Sequence, residues 1–530
     1  CQINHLPVII MKLKLLFLLL VLVIVKTNGA KILAIFNFPS KSHHILGSTL
    51  LKALADRGHQ VTMISPYPLK SPFKNYEDID ISEEMLRYKE EGSLMKQITE
   101  TNNSSFIENL RVLKDLITNT HHLFFNHPAV KNLIQTRRKF DLIIICSVWN
   151  EAFLGLSHYL GSSTIVFSAA GSSIRTNGLT QNPTPYSYVP HLYLSFPSEM
   201  TFSQRVGNTL GYLFYSIYST TYLEPEQERL RNLYLPEAPP LRQLVANVSL
   251  VLLNSHFSIE STRPYVPNMI QIGGFHVQKP GELSKELKEF MDSSKDGVIF
   301  FSLGSNLRSS DLPNDKLEAI LNCFKKLSIK VLWKFENDGM PNLPPNVKIS
   351  KWLPQKDILA HPNLKLFITH GGLLSTTEAV YHGVPMVGMP VYGDQRTNIA
   401  DSVINGYAVQ VSFFELTEKT LTEAINEVLN NPKYRQNVKL RSAVLRDQAI
   451  NPLEKAIFWV EYVIRHKGAH HLKTAALKLE WYQYYLLDVI GFLFTIILLI
   501  FLSCYLLIRK LLNFIRNVIC RKTDEKKKTE

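Results

Sequence analysis

Cysteine is scarce, five residues in 530, and the chain has no CxxC pair and no HExxH. That excludes a disulfide framework and the usual zinc spacings. No GxGxxG occurs either, which argues against a nicotinamide dehydrogenase. Long apolar runs are limited to two, one towards each end. The rest is ordinary globular composition, 45% hydrophobic and 19% charged. Acidic residues are outnumbered, and the net charge is +13. This excess does not describe a nucleic-acid surface. Residues 509–530 alone carry eight Lys or Arg against three acidic residues, and the remaining charge is scattered.

The first apolar run, Leu15 to Val25, follows Met11-Lys12-Leu13-Lys14 and ends in small residues at Ala30. This predicts a secretory signal peptide over 11–30. Residues 1–10 begin with Cys rather than Met, and Met11 is read as the start. The second run, Leu486 to Ile508, has 23 mostly apolar residues. A membrane-spanning helix needs about 20. The basic segment 509–530 then lies in the cytosol by the positive-inside rule. Together these predict a type I membrane protein with a lumenal body. Lys527-Lys528-Thr529-Glu530 fits a dilysine retrieval signal of the endoplasmic reticulum, with a solvated basic tail as the plainer reading. Only Cys146 and Cys323 would then be lumenal, Cys504 lying in the span and Cys520 in the cytosol. Asn102, Asn103 and Asn247 sit in Asn-x-Ser sequons, which suit a lumenal glycoprotein.

The body reads as α/β. Lys31–Asn37 is an apolar strand, Ile45–Arg57 has helical spacing, Gly58 stops it, and Gln60–Ser65 is a second strand. Asp141–Cys146 and Thr164–Ser168 are further buried-strand candidates, while 70–135 reads mostly as helix and loop. The aromatic, nearly uncharged stretch 202–222 could line an apolar pocket, lie on a membrane surface or form a core helix. Pro264 to Pro280 looks like a linker. The pattern then restarts with a strand at Val298–Leu303, a helix at Leu312–Leu327 and a strand at Val331–Phe335. Helices near 416–429, 432–446 and 451–466 follow.

The most informative stretch is Trp352 to Gln395. Leu364–Thr369 is one buried strand, and His370-Gly371-Gly372 turns the chain with little side-chain bulk. Ser375-Thr376-Thr377-Glu378 has capping-box spacing, and Gly383 is placed to close the helix. A helix start just after a glycine turn offers free backbone N–H groups to a diphosphate. An ordinary βαβ crossover, with Ser375 and Glu378 as caps, remains the alternative.

Over these 44 residues Trp352, Pro354, Gln355, His361, Pro362, His370, Gly371, Gly372, Glu378, Gly383, Pro385, Pro390, Asp394 and Gln395 stand at fixed spacing. The segment resembles the signature of the UDP-glycosyltransferase (UDP-glucuronosyltransferase) family. Leu373-Leu374-Ser375-Thr376-Thr377 and Pro39-Ser40-Lys41-Ser42-His43 are most like insect members. The resemblance implies the GT-B architecture, two Rossmann-like domains facing a cleft. Residues 31–270 would form the acceptor domain, 271–296 a linker and 297–450 the UDP-sugar domain. A C-terminal helix and juxtamembrane segment over 451–485, the span 486–508 and the tail 509–530 complete the chain.

The same resemblance implies inverting transfer of a hexose, glucose rather than glucuronate, to small lipophilic hydroxyl compounds such as xenobiotics, phenols and steroids. That is a detoxification chemistry. It implies no metal and no cofactor, UDP-sugar being a co-substrate, and it allows a homo-oligomer. Trp352 would stack on uracil, and Gln355 with Glu378 would hold base and ribose. His370, the amides from Gly372 to Ser375, and Ser305 would face the diphosphate. Asp394 and Gln395 would hold the sugar, and Arg263 matches an arginine near the donor.

The acceptor base would be His43, in the loop after the first strand, rather than its neighbour His44. One departure stands out. Relatives orient this base with a carboxylate at the end of the strand matching 141–146, where this chain has Cys146. Either the dyad is broken or a nearby acid such as Glu151 replaces it. A weak or inactive homologue that only binds UDP-sugar or a hydrophobic ligand is therefore the rival expectation.

Overall fold

A computed structural model describes residues 29–91 and 106–527, apart from Tyr193, Ser195 and Asp338. Most of the predicted signal peptide, the sequons at Asn102 and Asn103 and the last three residues of the dilysine pattern lie outside the described residues. Residues up to Lys473 form one unit, and those from Thr474 form another.

Among the described residues, the first unit holds two sheets. One has seven strands, β1 (Lys31–Ile35), β2 (Gln60–Ser65), β3 (Tyr76–Asp80), β4 (Leu142–Cys146), β5 (Ser163–Ser168), β6 (Leu250–Leu253) and β7 (Met269–Gln271). The other has six, β8 (Val298–Ser302), β9 (Lys330–Lys334), β10 (Val347–Ser350), β11 (Leu364–Thr369), β12 (Met386–Gly388) and β13 (Ala408–Gln410). Every pairing is parallel. The orders are β3-β2-β1-β4-β5-β6-β7 and β10-β9-β8-β11-β12-β13. Both reverse direction once, between β1 and β4 and between β8 and β11, as doubly wound folds do.

A parallel strand covered on both faces reads as an unbroken apolar run, and β4 is LIIIC, buried throughout. Its alternate residues enter two cores: Leu142, Ile144 and Cys146 on one face, Ile143 and Ile145 on the other. In β8, Ile299 and Phe301 likewise face one core, and Val298 and Phe300 the other.

Several expectations need correction. The first helix runs Lys41–Asp56, not from Ile45. Its opening Lys-Ser-His-His carries no apolar periodicity, so the true start was invisible in the pattern. His43 therefore sits in the first helical turn rather than in a loop. The edge strand β3, YEDID, is too polar to read as a buried run and fell in a region expected to be helix and loop. The stretch expected as a linker, Pro264 to Pro280, contains β7, which hydrogen-bonds β6.

The 202–222 stretch is a helix, Phe202–Tyr218, opened by a Thr201–Gln204 capping box. Asn208, Tyr212, Tyr215 and Tyr218 point inward, while Phe202, Leu210 and Ile217 are exposed. The helix Pro452–Arg465 returns to the first domain. Ala456, Ile457, Val460 and Val463 join the core of Ile32 and Leu50, and Glu454 pairs with Arg57.

In the second unit, helix Leu487–Lys527 is continuous over 41 residues. By length and composition Leu487–Cys520 is a candidate membrane span, with mean hydropathy 2.7. The helix does not stop at Arg509-Lys510, because nothing there breaks helical geometry.

Candidate active site

His43, Cys146, Ser305 and His370 come off the ends of β1, β4, β8 and β11, the four strands that flank the two switch points, while Trp352 and Gln355 follow β10 and Asp394 and Gln395 follow β12. Ligands of doubly wound sheets bind beyond the carboxyl ends of strands at such points.

On the first domain, Cys146 ends β4 beside the exit of β1. Its Sγ lies 3.7 Å from His43 Nδ1. His43 also lies against Phe38, ring centres 5.7 Å apart. Burial lowers the His43 pKa to about 4, so the ring is neutral near pH 7. Burial pushes the Cys146 thiol up, so it is no thiolate. His44 turns away, its Nδ1 3.3 Å from Ser65 Oγ. Glu151 opens a 3-10 turn, Glu151–Gly155, rather than the first turn of an α-helix. It is gripped by Arg175, whose Nε donates to Oε1 at 3.0 Å. That guanidinium lies over Trp149.

On the second domain, β11 ends at Thr369 and helix Leu373–His382 starts after the glycine turn. Gly372 is its N-cap, with no side-chain cap. The expected Ser375–Glu378 capping box does not form, because the helix starts two residues before Ser375 and Glu378 points elsewhere. Gly383 does close the helix, left-handed at φ 68°. The glycines matter for His370. A Cβ at Gly304 would lie 2.5 Å from His370 Cε1, and one at Gly372 2.6 Å from Nε2. The ring is thus slotted between two turns. His370 Nδ1 is buried without a hydrogen-bond partner among the described residues. Burial, with Lys334 nearby, lowers the His370 pKa to about 4. Lys334 Nζ donates to the Gly304 carbonyl at 2.7 Å and pairs with Glu336 at 2.8 Å.

Gln355 Nε2 donates to Glu378 Oε2 at 2.6 Å and to Ser375 Oγ at 3.0 Å. Burial raises the Glu378 pKa to about 7, against the Gln355 hydrogen bond. Trp352 is 56% exposed beside this group, and Lys41 Nζ sits 3.5 Å from its ring centre. Burial also raises the Asp394 pKa, against a hydrogen bond from Asn398 Nδ2 at 2.8 Å. The same Nδ2 reaches the Gly371 carbonyl at 3.0 Å, tying Asp394 to the glycine turn. Gln395 Oε1 accepts from the Val391 and Tyr392 amides, so its carbonyl is committed to the loop and its NH2 is not.

Arg263 lines a pocket built from both domains, with His191, Glu260 and Asp401 and with Leu373 and Asn398 from the glycine-turn region. Desolvation is the largest influence on its guanidinium, but Glu260, Tyr265 and Asp401 outweigh it and raise the pKa. Ser261 Oγ holds Asp401 Oδ1 at 2.7 Å. Ser305 lies in the β8 loop beside Asn306, whose Nδ2 donates to Ser40 Oγ at 3.0 Å across the domains. Asn247 is exposed.

The structure thus gathers Gln355, Ser375 and Glu378 into one contact group, slots His370 beside Gly372, and pairs His43 with Cys146. Sequence reasoning missed Lys41, Lys334, Asn306 and Asn398. Asn398, one helical turn after Asp394, was open to reading. Lys41 was visible only as part of a lineage marker. Among the described residues, no group of three or more His, Cys, Asp or Glu could hold a metal ion.

Residues 30–523 match the family described as UDP-glucoronosyl and UDP-glucosyl transferase. "UDP-glucosyltransferase 2" of Dactylopius coccus is 38% identical over 489 residues, 91% of this chain and 93% of that protein. "UDP-glucuronosyltransferase 2C1" of Oryctolagus cuniculus is 34% identical over 508 residues, 92% of this chain and 99% of that protein. Among solved structures, a UDP-glucose:anthocyanidin 3-O-glucosyltransferase in complex with UDP aligns with TM-score 0.55 at 16% identity. It covers 83% of this chain and all of that one, a likeness of fold. The chain belongs to the UDP-glycosyltransferase family, and it is a glycosyltransferase of GT-B fold that takes its sugar from a UDP-sugar.

Proposed function

We propose that the protein transfers glucose, with inversion, from UDP-glucose to a hydroxyl of a small lipophilic acceptor, with His43 as the general base. The observation that carries this is the placement of His43. It is a neutral imidazole at the β1–β4 switch point, with Nδ1 turned to Cys146. Its other nitrogen, Nε2, takes the acceptor proton as the oxygen attacks the anomeric carbon from the face opposite UDP. The bond to the UDP oxygen breaks, and UDP leaves as an anion.

His370, the N-terminus of helix Leu373–His382 and Ser305 face that departing charge. Trp352 stacks on uracil, and Gln355 with Glu378 holds base and ribose. Asp394 and the Gln395 amide hold the sugar hydroxyls. Glucose is favoured by the name of the insect relative, a glucosyltransferase. The candidate span, the exposed sequon Asn247 and the dilysine pattern support a type I protein of the endoplasmic reticulum with a lumenal body.

The thiol at Cys146 favours one second reading, a weak or inactive UDP-sugar-binding homologue. Expression in microsomes with a panel of UDP-sugars and phenol or steroid acceptors, read by mass spectrometry, separates the two. Transfer from UDP-glucose is expected, lost in His43→Ala while UDP binding persists. If UDP binds but no donor reacts with any acceptor, the inactive reading holds. Loss of transfer in His44→Ala instead would move the base to that residue.

A further inference from the structure

Among the described residues, Lys41 makes no ion pair, and its ammonium rests only on an aromatic face. It opens helix Lys41–Asp56, two residues before His43, and is partly buried. Its Nζ rests on the Trp352 ring of the opposite domain at 3.5 Å. Burial lowers its pKa first, and the charges that act on it, Lys70 and Lys334, are both cations. Lys89 feels Lys334 as well, and it donates to Asn306 across the same domain boundary at 3.3 Å. Glu336 answers Lys334, and Glu90 acts on Lys89. Among the described residues, no carboxylate pairs with Lys41 or Lys70. Lys70 is exposed, so Lys41 is the ammonium here that is partly desolvated, beside like charges and unanswered, a state that an anion bound next to it would relieve.

We propose that Lys41 covers the Trp352 face while the cleft is empty and passes to the donor diphosphate when uracil takes that face. This rests on the reading of Trp352 as the uracil platform. A cation on an indole face is held only by the ring quadrupole and yields to a full anion within reach. The diphosphate is joined through ribose to the displacing ring, so the group that evicts Lys41 also delivers its better partner. The first domain thereby contributes a cation to the leaving group. The first turn that carries His43 is drawn toward the loaded donor.

Uridine and UDP separate the two halves of this exchange, because uridine displaces Lys41 without offering it an anion. Binding of each is measured by calorimetry on the full chain in nanodiscs, for wild type, Lys41→Gln and Lys41→Arg. Lys41→Gln should bind uridine at least as tightly as wild type and UDP more weakly. The preference for UDP over uridine should fall by about tenfold, the loss of one charge-assisted contact. Lys41→Arg should keep that preference. If the two affinities move in parallel, in either direction or not at all, the exchange is wrong. If wild type binds neither ligand, the donor-site reading itself fails, a result distinct from parallel movement.

Discussion

At the scale of single residues, the pairing of His43 with Cys146 would set the strength of the proposed base. A half-buried, desolvated imidazole with a pKa near 4 is ready to accept a proton at neutral pH but holds it weakly. A thiol 3.7 Å away cannot stabilise the imidazolium as a carboxylate would. Cys146→Asp should therefore raise turnover about tenfold or more. It should also move the acidic limb of the pH–rate profile upward, since a neighbouring negative charge favours imidazolium. Glu151 is engaged by Arg175, so Glu151→Gln should leave that limb in place. Rates measured across pH 4–8 for both variants check this. If Glu151→Gln abolishes activity while Cys146→Asp changes nothing, Glu151 is the surrogate acid. If neither variant changes anything, His43 works without an anionic partner.

Among the elements, the turn from β11 into helix Leu373–His382 is the most sharply constrained. Gly372 has an ordinary φ of −61°, so any residue fits its backbone. Only space forbids a side chain, and the space is taken by His370. Gly372→Ala should push that ring from its slot, destabilise the fold by about 1–3 kcal/mol, the usual cost of overpacking, and weaken UDP binding. Titration with UDP checks this, and unchanged affinity would mean that His370 does not face the diphosphate.

The same turn marks what the sequence could and could not tell. β11 and the Gly383 stop were legible to the residue, because a buried run and a left-handed cap have strong local signals. The helix start was misread, since Ser375 and Glu378 have cap spacing but are drawn off by Gln355, 20 or more residues earlier in the chain. β3 and β7 escaped for another reason. One is polar at a sheet edge and the other is three residues long, so neither shows a periodic pattern. The His43–Cys146 contact was reachable only by matching strand ends to relatives, since no local rule brings together residues 103 positions apart.

For the whole molecule, the buried histidines set the response to acid. His43, His44, His121, His191, His256, His276 and His370 all have their pKa lowered to about 4, in each case mainly by burial. In the unfolded chain each titrates near 6.5. Between these values the unfolded state binds protons that the folded state refuses. Their contribution to stability is complete above about pH 6.5 and is lost as pH falls towards 4. Glu378 and Asp401 act the other way, because burial raises their pKa values to about 7 and about 6. They stabilise the fold below their unfolded values near 4, and that contribution fades as pH rises through 6 to 7. Burial raises Asp78, Glu224 and Asp394 in the same sense, so seven histidines stand against five carboxylates and acid should destabilise the body on balance. Each net proton taken up on unfolding steepens the loss by about 1.4 kcal/mol per pH unit. Thermal unfolding of the reconstituted protein should give a midpoint that falls steadily from pH 7.5 to pH 5, well above the range in which ordinary surface carboxylates titrate. A midpoint that is flat or rises over that interval would mean that water reaches these imidazoles in the folded state. The neutral His43 on which the proposed base chemistry depends would then have no structural cause.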